Sequence, residues 1–83
     1  MSDANSIVLT SSQIRAARAL LRWSARELAE NARLSLPTIQ RIEATDGIPS
    51  TSVKTMMSVR AALERAGVEF TNGDSPGVRM KKR

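Results

Sequence analysis

Two helix-start signals lie close together in this chain, and no other feature limits its fold so tightly. The first is Ser24-Ala25-Arg26-Glu27, a serine followed three residues later by a glutamate. In such a capping box the serine hydroxyl accepts from the glutamate N–H, while the glutamate side chain reaches back to the serine N–H. Trp23 and Leu28 fall at the two places of a hydrophobic staple, and Leu28, Ala29 and Ala32 make an apolar stripe at helical spacing. The second signal is Ser35, with Pro37 in the first turn behind it, where a missing N–H costs little. Ile39 and Ile42 then repeat at i, i+3. The spacing predicts two short helices joined by a tight turn and crossing steeply, with the small Ala29 where they touch.

Two helices of this length cannot bury a core alone, so one reading is a plain helical hairpin inside a bundle. The residues left outside point further. The outer face of the second helix carries Ser35, Leu36, Pro37, Gln40, Arg41 and Ala44, with no acid among them. A solvated face of a small protein mixes Glu and Lys. A face meant for a DNA groove cannot set carboxylates against phosphate.

The order Leu28-Ala29, Ala32, Leu34-Ser35, Ile39 and Ile42-Glu43 resembles the phage-repressor and Cro-like (XRE-type) helix-turn-helix regulators of bacteria, over residues 10–67. The resemblance implies a lambda-repressor-like, all-α bundle whose second motif helix reads base edges in the major groove. It puts the base-facing positions on Leu36, Pro37 and Arg41, with Ser35 and Gln40 beside them, and a phosphate-facing position on Ser24. Arg26 and Thr38 complete the DNA-facing set on the two helices. It also pairs Arg18 with Glu43, tying the first helix to the reading helix through a bidentate fork, where the plainer reading of Arg18 is a solvated surface side chain. Two positions depart from the family pattern. Arg33 stands where glycine is usual, at a place that needs positive φ. Leu36-Pro37 replaces polar readers, leaving fewer hydrogen-bonding groups for base edges.

Around this motif the 83 residues make one small domain. Residues 1–9 are expected to be a disordered or extended arm, with Ile7-Val8-Leu9 a short strand or a plug. Thr10-Ser11-Ser12-Gln13 is another capping box and should open a helix running to about Arg22, with Ile14, Ala17, Leu20 and Leu21 facing the core. A loop rich in Gly, Pro and hydroxyls follows Ala44. Ser50, Thr51 or Ser52 then caps a helix that stops at Gly67, facing inward through Val53, Met56 or Met57, Val59 or Arg60, Leu63 and Ala66. Lys54 and the N–H groups at that helix start could grip a phosphate, although a surface lysine reads equally well.

After Gly67 the period changes to two over residues 68–83. Pairing positions whose numbers sum to 148 sets Phe70 against Val78, Val68 against Met80 and Glu69 against Arg79. The turn falls on residues 72–77, and a basic tail of Lys81, Lys82 and Arg83 follows. The expected architecture is thus four to five helices with a small C-terminal β-hairpin. An isolated two-stranded hairpin is marginal, so it must pack on the helices or on a second copy. The apolar Val68, Phe70, Val78 and Met80 suggest a homodimer through the hairpin or the last helix.

Charge and composition bound the function classes. Of the net +5, Arg79, Lys81, Lys82 and Arg83 supply four positive charges and Asp3 removes one, leaving +2 for residues 4–78. The basicity favours anionic partners without locating them. With no His and no Cys, the commonest general base, the thiolate nucleophile and the usual metal ligands are missing, so neither an enzyme nor a metal or cofactor site is expected. No small-molecule site is evident. The lack of Cys suits a reducing cytoplasm, at the nucleoid if the resemblance holds. No signal-peptide core or membrane-length apolar run is read. Trp23 and Phe70, the only aromatics, read as core rather than RNA-stacking groups. The preferred function is a sequence-specific regulator of double-stranded DNA, working as a repressor by operator occupancy. The alternative is a protein–protein role, antitoxin-like or co-regulatory.

Overall fold

The computed structural model describes residues 8–71 and 75–81. Most of the expected arm, the tip of the hairpin turn and tail residues Lys82 and Arg83 lie outside the described residues. The chain is mainly α with a small hairpin: α1 (Ser11–Leu21), α2 (Ala25–Ala32), α3 (Leu36–Ala44), α4 (Val53–Arg65), β1 (Val68–Thr71) and β2 (Gly77–Met80). α2 packs on α3 and α4, while the hairpin lies over α1 and also touches α4.

Each helix begins at the hydroxyl residue that the sequence offers. Thr10 and Ser24 head complete capping boxes with Gln13 and Glu27, and Ser35 and Ser52 accept from the N3 amides of Thr38 and Thr55. The first two helices also end alike. Arg22 (φ 58°) and Arg33 (φ 59°) take the left-handed conformation. In each case the following residue bonds back across the turn, Trp23 N–H to Arg18 O at 2.9 Å and Leu34 N–H to Ala29 O at 2.9 Å. This is the Schellman arrangement, with an apolar residue after the left-handed one packing on the core, as Trp23 and Leu34 do. Arg-Trp-Ser and Arg-Leu-Ser are therefore one turn used twice. Arginine is strained there, but its charge sits well at a helix C-terminus.

The core gathers Leu9, Ile14, Ala17, Leu28, Ile39, Ile42, Met56, Val59, Leu63 and Val68. Leu9 is fully buried, so the end of the expected arm belongs to the core and the plug reading applies to it. Two other expectations need correction. Leu20 does not face the core but is 43% exposed, because α1 ends one residue later and its inward stripe closes at Ala17 and the half-buried Leu21. Val53 is 65% exposed: as the first residue of α4 it precedes the turn at which Met56 and Val59 meet the core.

The hairpin pairs Val68 with Met80, Glu69 with Arg79, Phe70 with Val78 and Thr71 with Gly77, the register expected from charge and apolar matching. Its apolar side is mostly used within the chain. Val68 is buried, and Phe70 and Val78 pack on the core. Arg60 lies over the Phe70 ring at 5.3 Å and also holds Glu64. The surplus apolar surface that motivated a hairpin-mediated dimer shrinks to Met80, because the helices of the same chain already cover the rest.

Gln13 contributes most to holding the hairpin down. Its Oε1 accepts from Thr10 N–H at 2.9 Å, while its Nε2 donates to both Thr71 O and Gly77 O at 3.1 Å. One buried amide thus closes the α1 cap and ties both strands at their turn end. Gln13→Ala should lower stability by about 2–3 kcal/mol, at roughly 1 kcal/mol per lost bond, in urea unfolding. It should also speed amide exchange in β1 and β2 before that of α2; a loss below about 0.5 kcal/mol would contradict the tie. Arg33→Gly should raise stability by about 0.5–1 kcal/mol by relieving the left-handed strain, whereas Arg33→Ala should not, because alanine keeps the Cβ.

Candidate nucleic-acid interface

The geometry of α3 is fixed from its C-terminal end. A helix leaves its last carbonyls without partners, and here α1 supplies two of those that are found. Ser11 Oγ, fully buried, donates to Ile42 O at 2.6 Å, and Arg15 Nη1 donates to Glu43 O. Thr45 Oγ1 donates to Arg41 O at 3.3 Å. Beside these bonds Arg18 makes the fork anticipated for it: Nε to Glu43 Oε2 and Nη2 to Glu43 Oε1, both 2.8 Å. Its remaining Nη1 donates to Trp23 O at 2.9 Å. Glu43 is only 9% exposed and Arg18 23%, so the pair is shielded well beyond a surface ion pair. The hydrogen bond to Glu43 raises the Arg18 pKa above its ordinary value, against the opposing effect of burial. Arg18 thus stays charged, and this contribution is lost only as pH climbs past an already high value, well above neutrality.

With Glu43 turned inward, α3 shows solvent no acid. Pro37, Gln40, Arg41 and Ala44 are exposed and Leu36 and Thr38 half-exposed, a continuous outer face one helix long. Ser35 is exposed, but its hydroxyl already caps Thr38 N–H and bonds the Thr38 hydroxyl at 2.8 Å. It is therefore a cap first, which leaves Gln40 and Arg41 as the unengaged donors of this face. Ser24 caps Glu27 in the same way at the start of α2, leaving the N–H groups of Ala25 and Arg26 in the unbonded first turn.

The cations divide into two sets. Arg15, Arg18, Arg60, Arg65 and Arg79 each donate to an acceptor of the protein. Arg22, Arg26, Arg33, Arg41, Lys54 and Lys81 have no such partner among the described residues. Arg41 stands on the α3 face and Arg26 in the first turn of α2. Lys54, read as a phosphate grip or a plain surface lysine at the start of α4, lines a groove between α2 and α4 together with Arg33. Sequence reasoning treated Arg33 only as a turn residue and passed over Arg15 as a cap; the i, i+3 spacing of Arg15 and Arg18 on one helix face was the available signal. Among the described residues no helix is long and apolar enough to cross a membrane.

Compared with known proteins, the chain matches no family model and no curated sequence.

The fork is directly testable. In a double-mutant cycle with Arg18→Ala and Glu43→Ala, urea unfolding should give a coupling of about 0.5–3 kcal/mol. A coupling indistinguishable from zero would mean that the two groups are independent.

Proposed function

We propose that this chain is a double-stranded DNA-binding regulator of the helix-turn-helix type, with α2 and α3 as the motif and α3 as the reading helix. The observation that carries the reading is the acid-free outer face of α3. The helix's one carboxylate, Glu43, is folded inward and neutralised by Arg18. A helix entering a DNA groove must not bring negative charge to phosphate, and here the charge that would do so is spent on the scaffold. The resemblance of residues 10–67 to phage-repressor regulators supports the same assignment.

In this reading α3 lies in the major groove. Arg41 offers a planar fork that matches the O6 and N7 acceptors of guanine, and Leu36 and Pro37 offer apolar contact that suits a thymine methyl. Gln40 adds an amide that can bond adenine. Arg26 and the free N–H groups at the α2 start hold one phosphate, and Lys54 with the start of α4 holds another, fixing the register without reading sequence. Regulation follows by occupancy: protein bound over a promoter excludes other proteins from it.

A mobility shift on DNA upstream of the protein's own gene, with competitor DNA and at two salt concentrations, tests the class of function. A complex that survives competitor supports the reading; only salt-sensitive smearing would reduce it to a basic chain adhering to a polyanion. Within a specific complex, Arg41→Ala should cost about 1–3 kcal/mol on the best site and relax the preference at one base position. Lys54→Ala should weaken all sequences alike and lower the salt slope by about one phosphate. Uniform weakening by Arg41→Ala would make it a phosphate clamp.

A further inference from the structure

α4 carries an apolar stripe on its outer side as well as its inner one. Val53, Met57 and Ala61 repeat at i, i+4, i+8, away from the buried Met56, Val59 and Leu63, and Val53 and Met57 are 65% and 51% exposed. The stripe forms one wall of a groove of about 940 Å³ whose other wall is the C-terminal half of α2. The DNA reading leaves this stripe without a role, because there α3 meets the bases and α4 offers only its start.

The charge on the two walls is mainly of one sign: Arg33, Lys54 and Arg65 line the groove against Glu30 alone. Arg65 reaches across to α2, where its Nη2 donates to Asn31 O at 3.1 Å, and its other nitrogens meet no acceptor among the described residues. Arg33 donates to no acceptor among them. Its left-handed backbone (φ 59°) costs stability, and that strained turn sets a free guanidinium on the rim. Both walls are helices whose main-chain groups are mostly bonded within themselves, so an extended segment would find few backbone partners here. A segment already folded as a helix satisfies its own backbone and needs none. From Val53 to Arg65 the groove runs about 18 Å at 1.5 Å per residue, or about three turns of a docked helix.

We propose that the α2–α4 groove docks an acidic amphipathic helix of a partner protein. The apolar face of that helix covers Val53, Met57 and Ala61, and carboxylates along its flanks meet Arg33 and Arg65. Lys54 stays with the phosphate assigned to it above, so the partner and DNA do not compete for one cation. A second copy of this chain is not the occupant, since two such grooves face to face would set like charges together. The surface is separate from the outer face of α3 and does not depend on the DNA reading.

The probe is a synthetic helical peptide with leucines on one face and glutamates flanking them, titrated without DNA into the isotope-labelled full chain. A control peptide carries lysine for each glutamate. Amide shifts should be confined to the C-terminal half of α2 and the outer side of α4, with Kd on the order of 100 μM and the lysine peptide about tenfold weaker or more. Met57→Glu should weaken the acidic peptide by about tenfold or more with unchanged helicity. Arg33→Gly should weaken it by about threefold while raising stability in urea, and Arg33→Lys should keep most of the binding. Binding and stability moving in opposite directions cannot come from a damaged fold. No shifts up to about 1 mM peptide overturn the proposal. Equal binding of the two peptides, shifts centred on the hairpin or indifference to Met57→Glu do the same. If the peptide fails to bind and Arg33→Gly instead weakens every DNA sequence alike, the rim belongs to phosphate and the proposal falls. The peptide titration is read without DNA, so its failure and that of the mobility shift are distinguishable.

Discussion

The fold of this small chain depends on α1 serving as the cap of α3. Three side chains of one helix, Ser11, Arg15 and Arg18, engage the last turn of another: two take orphan carbonyls and the third takes the Glu43 carboxylate. The C-terminal end of α3 carries negative partial charge from its carbonyls and a full charge from Glu43, and the two guanidinium groups answer both. Without them the helix would either fray or turn its carboxylate outward. Because α3 has only nine residues, too few to be stable alone, its existence and its outward face follow from the same set of contacts.

How much of this was legible in the sequence depends on how local each decision is. The capping boxes, the Ser35 and Ser52 caps and the end near Gly67 could be read directly, because a cap is decided within four residues. The hairpin register was legible for a different reason: charge matching and apolar matching both selected it, and a slip by one would have broken both. Arg18 with Glu43 came only through likeness to a family, since nothing near Arg18 in sequence points to a residue twenty-five positions away.

What stayed hidden was decided by packing at element ends. Leu20 and Val53 fit their helical stripes but sit in a last and a first turn, where the neighbouring element has already diverged. The Gln13 tie could not be foreseen, because its capping role accounts for only half of the amide; the other half is fixed by where the hairpin lands. The repeated Arg-apolar-Ser turn was visible in the letters, yet arginine in a left-handed position is uncommon enough that the pattern reads as a departure rather than as a rule. On the surface, the acid-free face of α3 was legible as composition. That the groove between α2 and α4 gathers the side chains of Glu30, Arg33 and Lys54, none of them paired among the described residues, required the structure.

Trp23 occupies a position whose use extends beyond packing. Its backbone N–H donates to Arg18 O and its carbonyl accepts from Arg18 Nη1, so the residue carrying the single indole of the chain is tied through its main chain, on both sides, to the arginine that grips α3. Half-buried and without another tryptophan or any tyrosine to mask it, it is an intrinsic optical reporter. Its emission colour tracks the integrity of the α1–α3 junction, and an unlabelled sample reveals in real time whether a bound partner leaves that junction at rest or pulls it open.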